Sequence, residues 1–256
     1  MNQDIAFHHV TFKYEGMEKD AAPVLNNVDF TIPAGSTFAI LGSTGSGKSS
    51  MMLLLDRLYD LKEGEGSITV GGVDIRSIPQ NYLRGHIGLV LQEPFLYSRS
   101  IRENILLTAP DAGDAELFEA AREAAVHDVI EKFADGYDTI VGERGVTLSG
   151  GQQQRVAIAR ALMQKAPIMI FDDSMSAVDT ETDAKIRDAL RRHHGSGILF
   201  IISHRITTLQ EADRILVLDH GKLVQQGTHA ELIREEGLYR RIAEIQDFHA
   251  EGGEQA

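Results

Sequence analysis

GSTGSGKS, from Gly42 to Ser49, satisfies the pattern G-x-x-x-x-G-K-[ST] at every fixed position. The apolar run TFAIL (Thr37 to Leu41) precedes it and MMLLLDRL (Met51 to Leu58) follows it, so it reads as strand, loop and helix, the context in which this pattern holds a polyphosphate. Gly42, Gly45 and Gly47 let the backbone turn its N–H groups inward, and the following helix points its positive end at the anion. Lys48 would reach the β and γ phosphates. Ser49 would offer its hydroxyl to Mg²⁺, a hard cation that keeps several waters and takes few protein ligands. Ser43, Thr44 and Ser46 occupy the variable positions, and Ser50 completes a nucleotide-binding segment from Gly42 to Ser50. The bland alternative is a glycine- and serine-rich turn ahead of a helix. The strand-loop-helix setting disfavours it.

A second stretch, LSGGQQQRVAIARAL (Leu148 to Leu162), places Ser149, Gly150, Gly151 and Gln152 at the start of another helix, where backbone N–H groups can also receive an anion. Alone it is equally well an ordinary helix start. Beside the first stretch, it gives one chain two phosphate-binding ends.

Composition fits a globular domain with a full core: 256 residues, 43% hydrophobic and 25% charged. Without cysteine there are no disulfides or thiolate metal sites, and the ten histidines show no zinc-ligand spacing. A formal net charge of -13 argues against a protein that wraps nucleic acid, which needs a basic surface. No apolar run reaches membrane-span length, and MNQDIAFHHV at the amino terminus lacks the regions of a signal peptide.

Short β-type runs open the chain: IAFHHVTFKY (Ile5 to Tyr14), VLNNVDFTI (Val24 to Ile32) and STFAIL (Ser36 to Leu41), an antiparallel layer feeding a core strand. SITV (Ser67 to Val70) and IGLVL (Ile87 to Leu91) are further strands. A helical middle spans about 101–164, with helical apolar spacing along AELFEAAREAAVHDVIEKF (Ala115 to Phe133). Strands IMIF (Ile168 to Phe171), ILFII (Ile198 to Ile202) and RILVLD (Arg214 to Asp219) then alternate with a helix near Thr182 to Arg192, which predicts an α/β fold with a parallel sheet flanked by helices. A single domain over 1–256 is expected, with a helical subdomain inserted at about 93–164. ELIREEGLYRRIAEI (Glu231 to Ile245) has helical spacing, and a disordered tail is expected over 249–256.

The order of these motifs resembles the ATP-binding cassette family along nearly the whole chain. The resemblance implies a RecA-like P-loop NTPase core with an antiparallel β layer and a helical subdomain, ATP and Mg²⁺ as ligands, and an ATPase coupled to membrane transport. Tyr14, ending VTFKY, resembles the aromatic residue that stacks on adenine, with a core tyrosine as the plainer reading. Gln92, in LVLQEPFLY, resembles the glutamine that contacts Mg²⁺ and senses the transmembrane partner. MIFDD (Met169 to Asp173) resembles the Walker B strand, with Asp172 on Mg²⁺ and Asp173 at the position that polarises the attacking water. SAVD (Ser176 to Asp179) resembles the loop crossing to the opposing subunit, with Asp179 as its inter-subunit residue. IISHR (Ile201 to Arg205) puts His204 where the family keeps a histidine on the γ-phosphate.

TIVGERG (Thr139 to Gly145) and FLYSRSIRENI (Phe95 to Ile105) resemble exporter segments, with Glu143 touching the transmembrane domains; a solvated loop is the plainer reading of Glu143. The resemblance departs at Asp173, where competent members carry glutamate. The shorter side chain withdraws the carboxylate by about 1.5 Å, and misplacement of about 1 Å can cost on the order of a hundredfold in rate. The expectation is one half of a heterodimeric exporter: slow hydrolysis at its own site, Ser149 to Gln152 completing the active site of a second, different cassette, and a place on the cytoplasmic face of the membrane beneath transmembrane domains. A domain excised from a longer half-transporter and a stand-alone subunit both stay open. So do a homodimeric cassette and a regulatory module that binds ATP with little hydrolysis. Cassette ATPases acting on DNA or ribosomes, and P-loop kinases, are disfavoured by the absence of their insertions and by LSGGQ.

Overall fold

The computed structural model describes residues 3–18, 20–142, 148–174, 178–195 and 197–253. Its strands are β1 (Ile5–Phe12), β2 (Leu25–Ile32), β3 (Thr37–Gly42), β4 (Ser67–Val70), β5 (Val73–Asp74), β6 (Ile87–Val90), β7 (Ile168–Asp172), β8 (Ile198–Ile202), β9 (Arg214–Asp219) and β10 (Lys222–Gly227). Its α-helices are α1 (Lys48–Leu55), α2 (Gln80–Gly85), α3 (Ile101–Ile105), α4 (Asp114–Glu123), α5 (His127–Ile130), α6 (Gly150–Met163), α7 (Thr180–His194), α8 (Ile206–Leu209), α9 (His229–Leu232) and α10 (Leu238–Gly253). The chain groups into two compact units, Met1–His86 with Ser196–Ala256, and Ile87–Gly195.

In the first unit, β1 and β2 alternate buried and exposed side chains, as strands do when one face of an antiparallel sheet meets solvent. They pair antiparallel with Ile5 opposite Ile32 and Phe7 opposite Phe30, and the two phenyl rings stack at 4.6 Å. This sheet runs β2-β1-β4-β5. The strands β3, β8 and β9 are instead almost wholly buried, the signature of parallel strands covered on both faces. β3 lies between β8 and β9 and is parallel to both. β10 adds an antiparallel edge to β9 through a two-residue turn in which His220 and Gly221 both have positive φ, 46° and 75°. Ala39, Leu41, Ile215 and Val217 pack with Leu209, Leu232, Tyr239 and Ala243, which docks α8, α9 and α10 onto this sheet.

In the second unit, β6 and β7 form a parallel pair, Ile87 opposite Ile168 and Val90 opposite Phe171. Around α6 pack α3 and α4, with Ile101, Ile105, Leu117, Ala121, Val156 and Ile158 buried. Residues 93–142 and 148–164 belong to this unit. Its long helix does not run continuously from Ala115 to Phe133: α4 ends at Glu123, Ala125 turns to φ 53°, and α5 starts at His127. The broken end is held by Val126 N–H on Ala121 O (2.8 Å) and by Arg155, whose Nη1 donates to Ala125 O (2.9 Å).

The carboxyl-terminal apolar pattern likewise divides, into α9 and α10, at the Glu235–Gly237 turn. α10 continues to Gly253 and so takes in residues expected to be tail. Among the described residues no helix is long and apolar enough to cross a membrane. The architecture is the expected α/β fold, parallel strands with helices and a separate antiparallel sheet.

Candidate functional site: two strand-end clusters and a capped serine corner

The glycine loop leaves the carboxyl end of β3. Gly47 has φ 99°, a conformation glycine adopts without cost, and a Cβ there would lie 2.6 Å from Leu25 Cδ2 and 2.7 Å from Val24 O. A Cβ on Gly42 would collide with Leu218 O and Ser46 Oγ. The loop is thus packed from outside by Val24, Leu25 and Leu218. α1 begins with neither a capping side chain nor an acidic residue in its first turn, so its opening amides face the loop without an internal carboxylate. Lys48 is buried and its Nζ donates to Gly42 O (2.8 Å) and Ser43 O (2.9 Å), folding the ammonium over the loop. Ser46 Oγ is buried and has no hydrogen-bond partner among the described residues. An orphaned hydroxyl, an uncapped helix start and an inward lysine are together a cradle that a polyphosphate fits.

Tyr14 meets this segment directly. Its hydroxyl is 2.8 Å from Ser50 Oγ, and its ring stands nearly perpendicular to those of Phe12 and Tyr59, each at 4.9 Å. Tyr14 is half-buried. His204 follows β8, whose Ile202 lies opposite Ile40 of β3; the loop and the histidine thus emerge from the same ends of neighbouring parallel strands, where α/β sheets place ligands. The His204 side chain is exposed. Its carbonyl accepts from Gln246 Nε2 (2.6 Å).

The second unit repeats the strand-end arrangement. Gln92 follows β6, and Asp172 ends β7 beside it with Asp173 next in the chain. Asp172 is buried, whereas Asp173 is half-buried and takes φ 44°, a left-handed conformation that aspartate tolerates better than most residues. The Gln92 carbonyl accepts from Gln154 Nε2 of α6 (3.3 Å). Gln92, Phe95, Gly150 and Gln154 help to line a cavity of about 580 Å³.

Ser149 caps α6 through a reciprocal box: Ser149 N–H donates to Gln152 Oε1 (2.9 Å), and Gln152 N–H donates to Ser149 Oγ at a long 3.4 Å. The serine corner is therefore internally capped, unlike the α1 start. A Cβ on Gly150 would meet open space, so that glycine leaves room rather than relieving a clash. Asp179 caps α7 by accepting from Thr182 N–H (3.0 Å), which holds its carboxyl below the ordinary range with help from Arg155. Ser176 and Glu143 lie outside the described residues.

Two residues near these clusters carried no signal in the motifs. Gln246 and Arg155 act on the backbone of other segments: Arg155 Nε donates to Gly151 O (3.2 Å) while its Nη1 holds the α4–α5 break. A helical-face count would have flagged Gln246, which stands at i+7 from Tyr239 and i+3 from Ala243.

Comparison with known proteins agrees with this geometry. Residues 25–176 match the family model described as ABC transporter. The chain is 45% identical over 250 residues to YfiB of Bacillus subtilis, an uncharacterized ABC transporter ATP-binding protein, covering 98% of this chain and 42% of that one. It is 41% identical over 247 residues to an ATP-dependent lipid A-core flippase of Chromohalobacter salexigens, covering 96% and 42%. Among solved structures, a bacterial Atm1-family ABC exporter with ATP bound superposes with a TM-score of 0.90 at 41% identity, over 95% of this chain and 42% of that one. The chain spans less than half the length of these relatives. From the loop, the capped serine corner, the strand-end carboxylates and these matches together, this chain belongs to the ABC transporter family.

Proposed function

We propose that the chain is the ATP-binding and ATP-hydrolysing part of an exporter, working at the cytoplasmic face of a membrane by nucleotide-driven pairing with a second cassette. The observation that carries the reading is the fitted but uncapped polyphosphate cradle at Gly42 to Ser50, on a chain that also presents the separate Ser149 corner. Tyr14 would stack on adenine, the loop amides and Lys48 would hold the phosphates, and Ser49, Asp172 and Gln92 are the residues that would hold Mg²⁺, which would neutralise charge on the transferring phosphoryl group. Asp173 orients the attacking water, and His204 contacts the γ-phosphate. Ser149, Gly150, Gly151 and Gln152 complete the partner's site, Asp179 belongs to the loop crossing to it, Gln92 meets transmembrane domains at the groove beside α6, and Glu143 is a further residue for that contact. The insertion at 93–164 forms the helical subdomain of a single cassette.

Asp173 favours a degenerate own site and therefore a different chain as partner, with a regulatory, weakly hydrolysing module as the second reading. Single-turnover hydrolysis with and without Asp173→Glu tests this. A rise of about tenfold or more is expected, given the cost of about 1 Å of misplacement. An unchanged rate rules out the degenerate site. Mixing with a glutamate-bearing cassette separates the two readings, since a purely regulatory module contributes no Ser149 corner to turnover.

A further inference from the structure

Gln246 bridges both sides of the turn that presents His204. Its Oε1 accepts from Ile206 N–H (2.9 Å) and its Nε2 donates to His204 O (2.6 Å), across 40 and 42 residues of sequence. A primary amide has one acceptor end and one donor end, and this turn offers one of each in the matching order. Ile206 opens α8, whose N-cap residue Arg205 does not cap the helix with its side chain, so Gln246 serves as the cap.

The amide is held in place by its helix. Tyr239, Ile242, Ala243 and Gln246 follow i, i+3, i+4, i+7 along α10, and Tyr239 and Ala243 are buried in the core formed with β3 and β9. The stripe that docks α10 thus ends in a polar residue pointing at the turn. The His204 side chain is exposed, which leaves its backbone as the means of fixing where the imidazole lies. The rest of the turn is fixed as well: Arg205 N–H donates to Ser203 Oγ (3.1 Å), and Ser203 N–H reaches Ile40 O (3.4 Å) on the strand that feeds the glycine loop.

We infer that Gln246 is a positioning residue for His204, and that α10 is a working part of the nucleotide site rather than a carboxyl-terminal trim. The inference rests on the reading of His204 as the γ-phosphate contact. Loss of the amide lets the turn drift, and drift of about 1 Å at a phosphate contact costs on the order of ten- to a hundredfold in kcat while leaving ground-state nucleotide binding largely intact.

The test is ATP hydrolysis by the full chain in the Asp173→Glu background, comparing His204→Ala, Gln246→Met, the double variant and the neighbouring control Ile245→Ser. Hydrogen exchange of the 203–209 segment is measured in parallel. Gln246→Met is expected to lower kcat at least about tenfold with KM within about twofold, and to speed exchange at Ile206. The double variant is expected to be no slower than His204→Ala alone, because the amide acts only through the histidine. Ile245→Ser should match the parent.

An unchanged kcat in Gln246→Met, a double variant that multiplies both losses, or a parallel rise in KM would each overturn the proposal. A silent His204→Ala would overturn the histidine reading and the proposal with it. The exchange data then show whether the two hydrogen bonds exist regardless of function.

Discussion

The hydroxyls of Tyr14 and Ser50 are hydrogen-bonded at 2.8 Å, which joins the aromatic end of the first strand segment to the helix that follows the glycine loop. The bond sits on the axis about which the tyrosine ring rotates, so it fixes the ring's tip but not its plane. The perpendicular rings of Phe12 and Tyr59 restrict the plane. Tyr14→Phe keeps the ring and removes only the tether. It is expected to weaken ATP binding about threefold to tenfold, the worth of one hydrogen bond, while leaving inorganic tripolyphosphate unaffected. Titration calorimetry with both ligands checks this.

Gly47 and Gly45 both have positive φ but differ in space. Gly47→Ala meets Leu25 and Val24 and should cost about 2–4 kcal/mol, combining left-handed strain with overpacking. Gly45→Ala meets nothing within 4 Å and should cost only the strain, about 1–2 kcal/mol. Urea melts of the two variants give the comparison, and an equal loss would refute the packing argument.

Burial at the end of α1 pushes the Asp56 carboxyl up to about 6, against the partial opposing pull of Arg84. The folded protein therefore binds a proton that the unfolded chain has released between about pH 4 and pH 6, and stability falls as pH rises through that window. Asp56→Asn removes the penalty and should raise stability above pH 6 by about 1–2 kcal/mol, allowing for partial solvent screening. Arg84 keeps its bonds to the Asp56 and Arg57 carbonyls, which the substitution does not touch. Thermal melts at pH 4 and pH 7.5 should show the gain at the higher pH alone.

Much of this was legible because the motifs are local. A glycine loop, a serine corner and wholly apolar strands declare themselves within a few residues, and β3, β7, β8 and β9 lie where their apolar runs predict. β10 did not declare itself, since KLVQQG is short, polar and at a sheet edge, although the His220-Gly221 pair carries a hairpin signal. The break at Ala125 was hidden because alanine is the best helix former; the helix stops there for tertiary reasons, the hold of Arg155 among them. The bonds from Gln246 to His204 and from Tyr14 to Ser50 span 42 and 36 residues, distances over which periodicity says nothing.

Ser149→Ala removes one half of the capping box and should cost about 1 kcal/mol, or about 2–4 °C in Tm for a chain of this size. Differential scanning calorimetry checks that figure. A loss far beyond it would mean that Ser149 has partners besides Gln152.

Arg155 grips Gly151 and Ala125 with one guanidinium, which ties the serine corner to the elbow between α4 and α5. Trimming this arginine would leave the two segments without that shared tie.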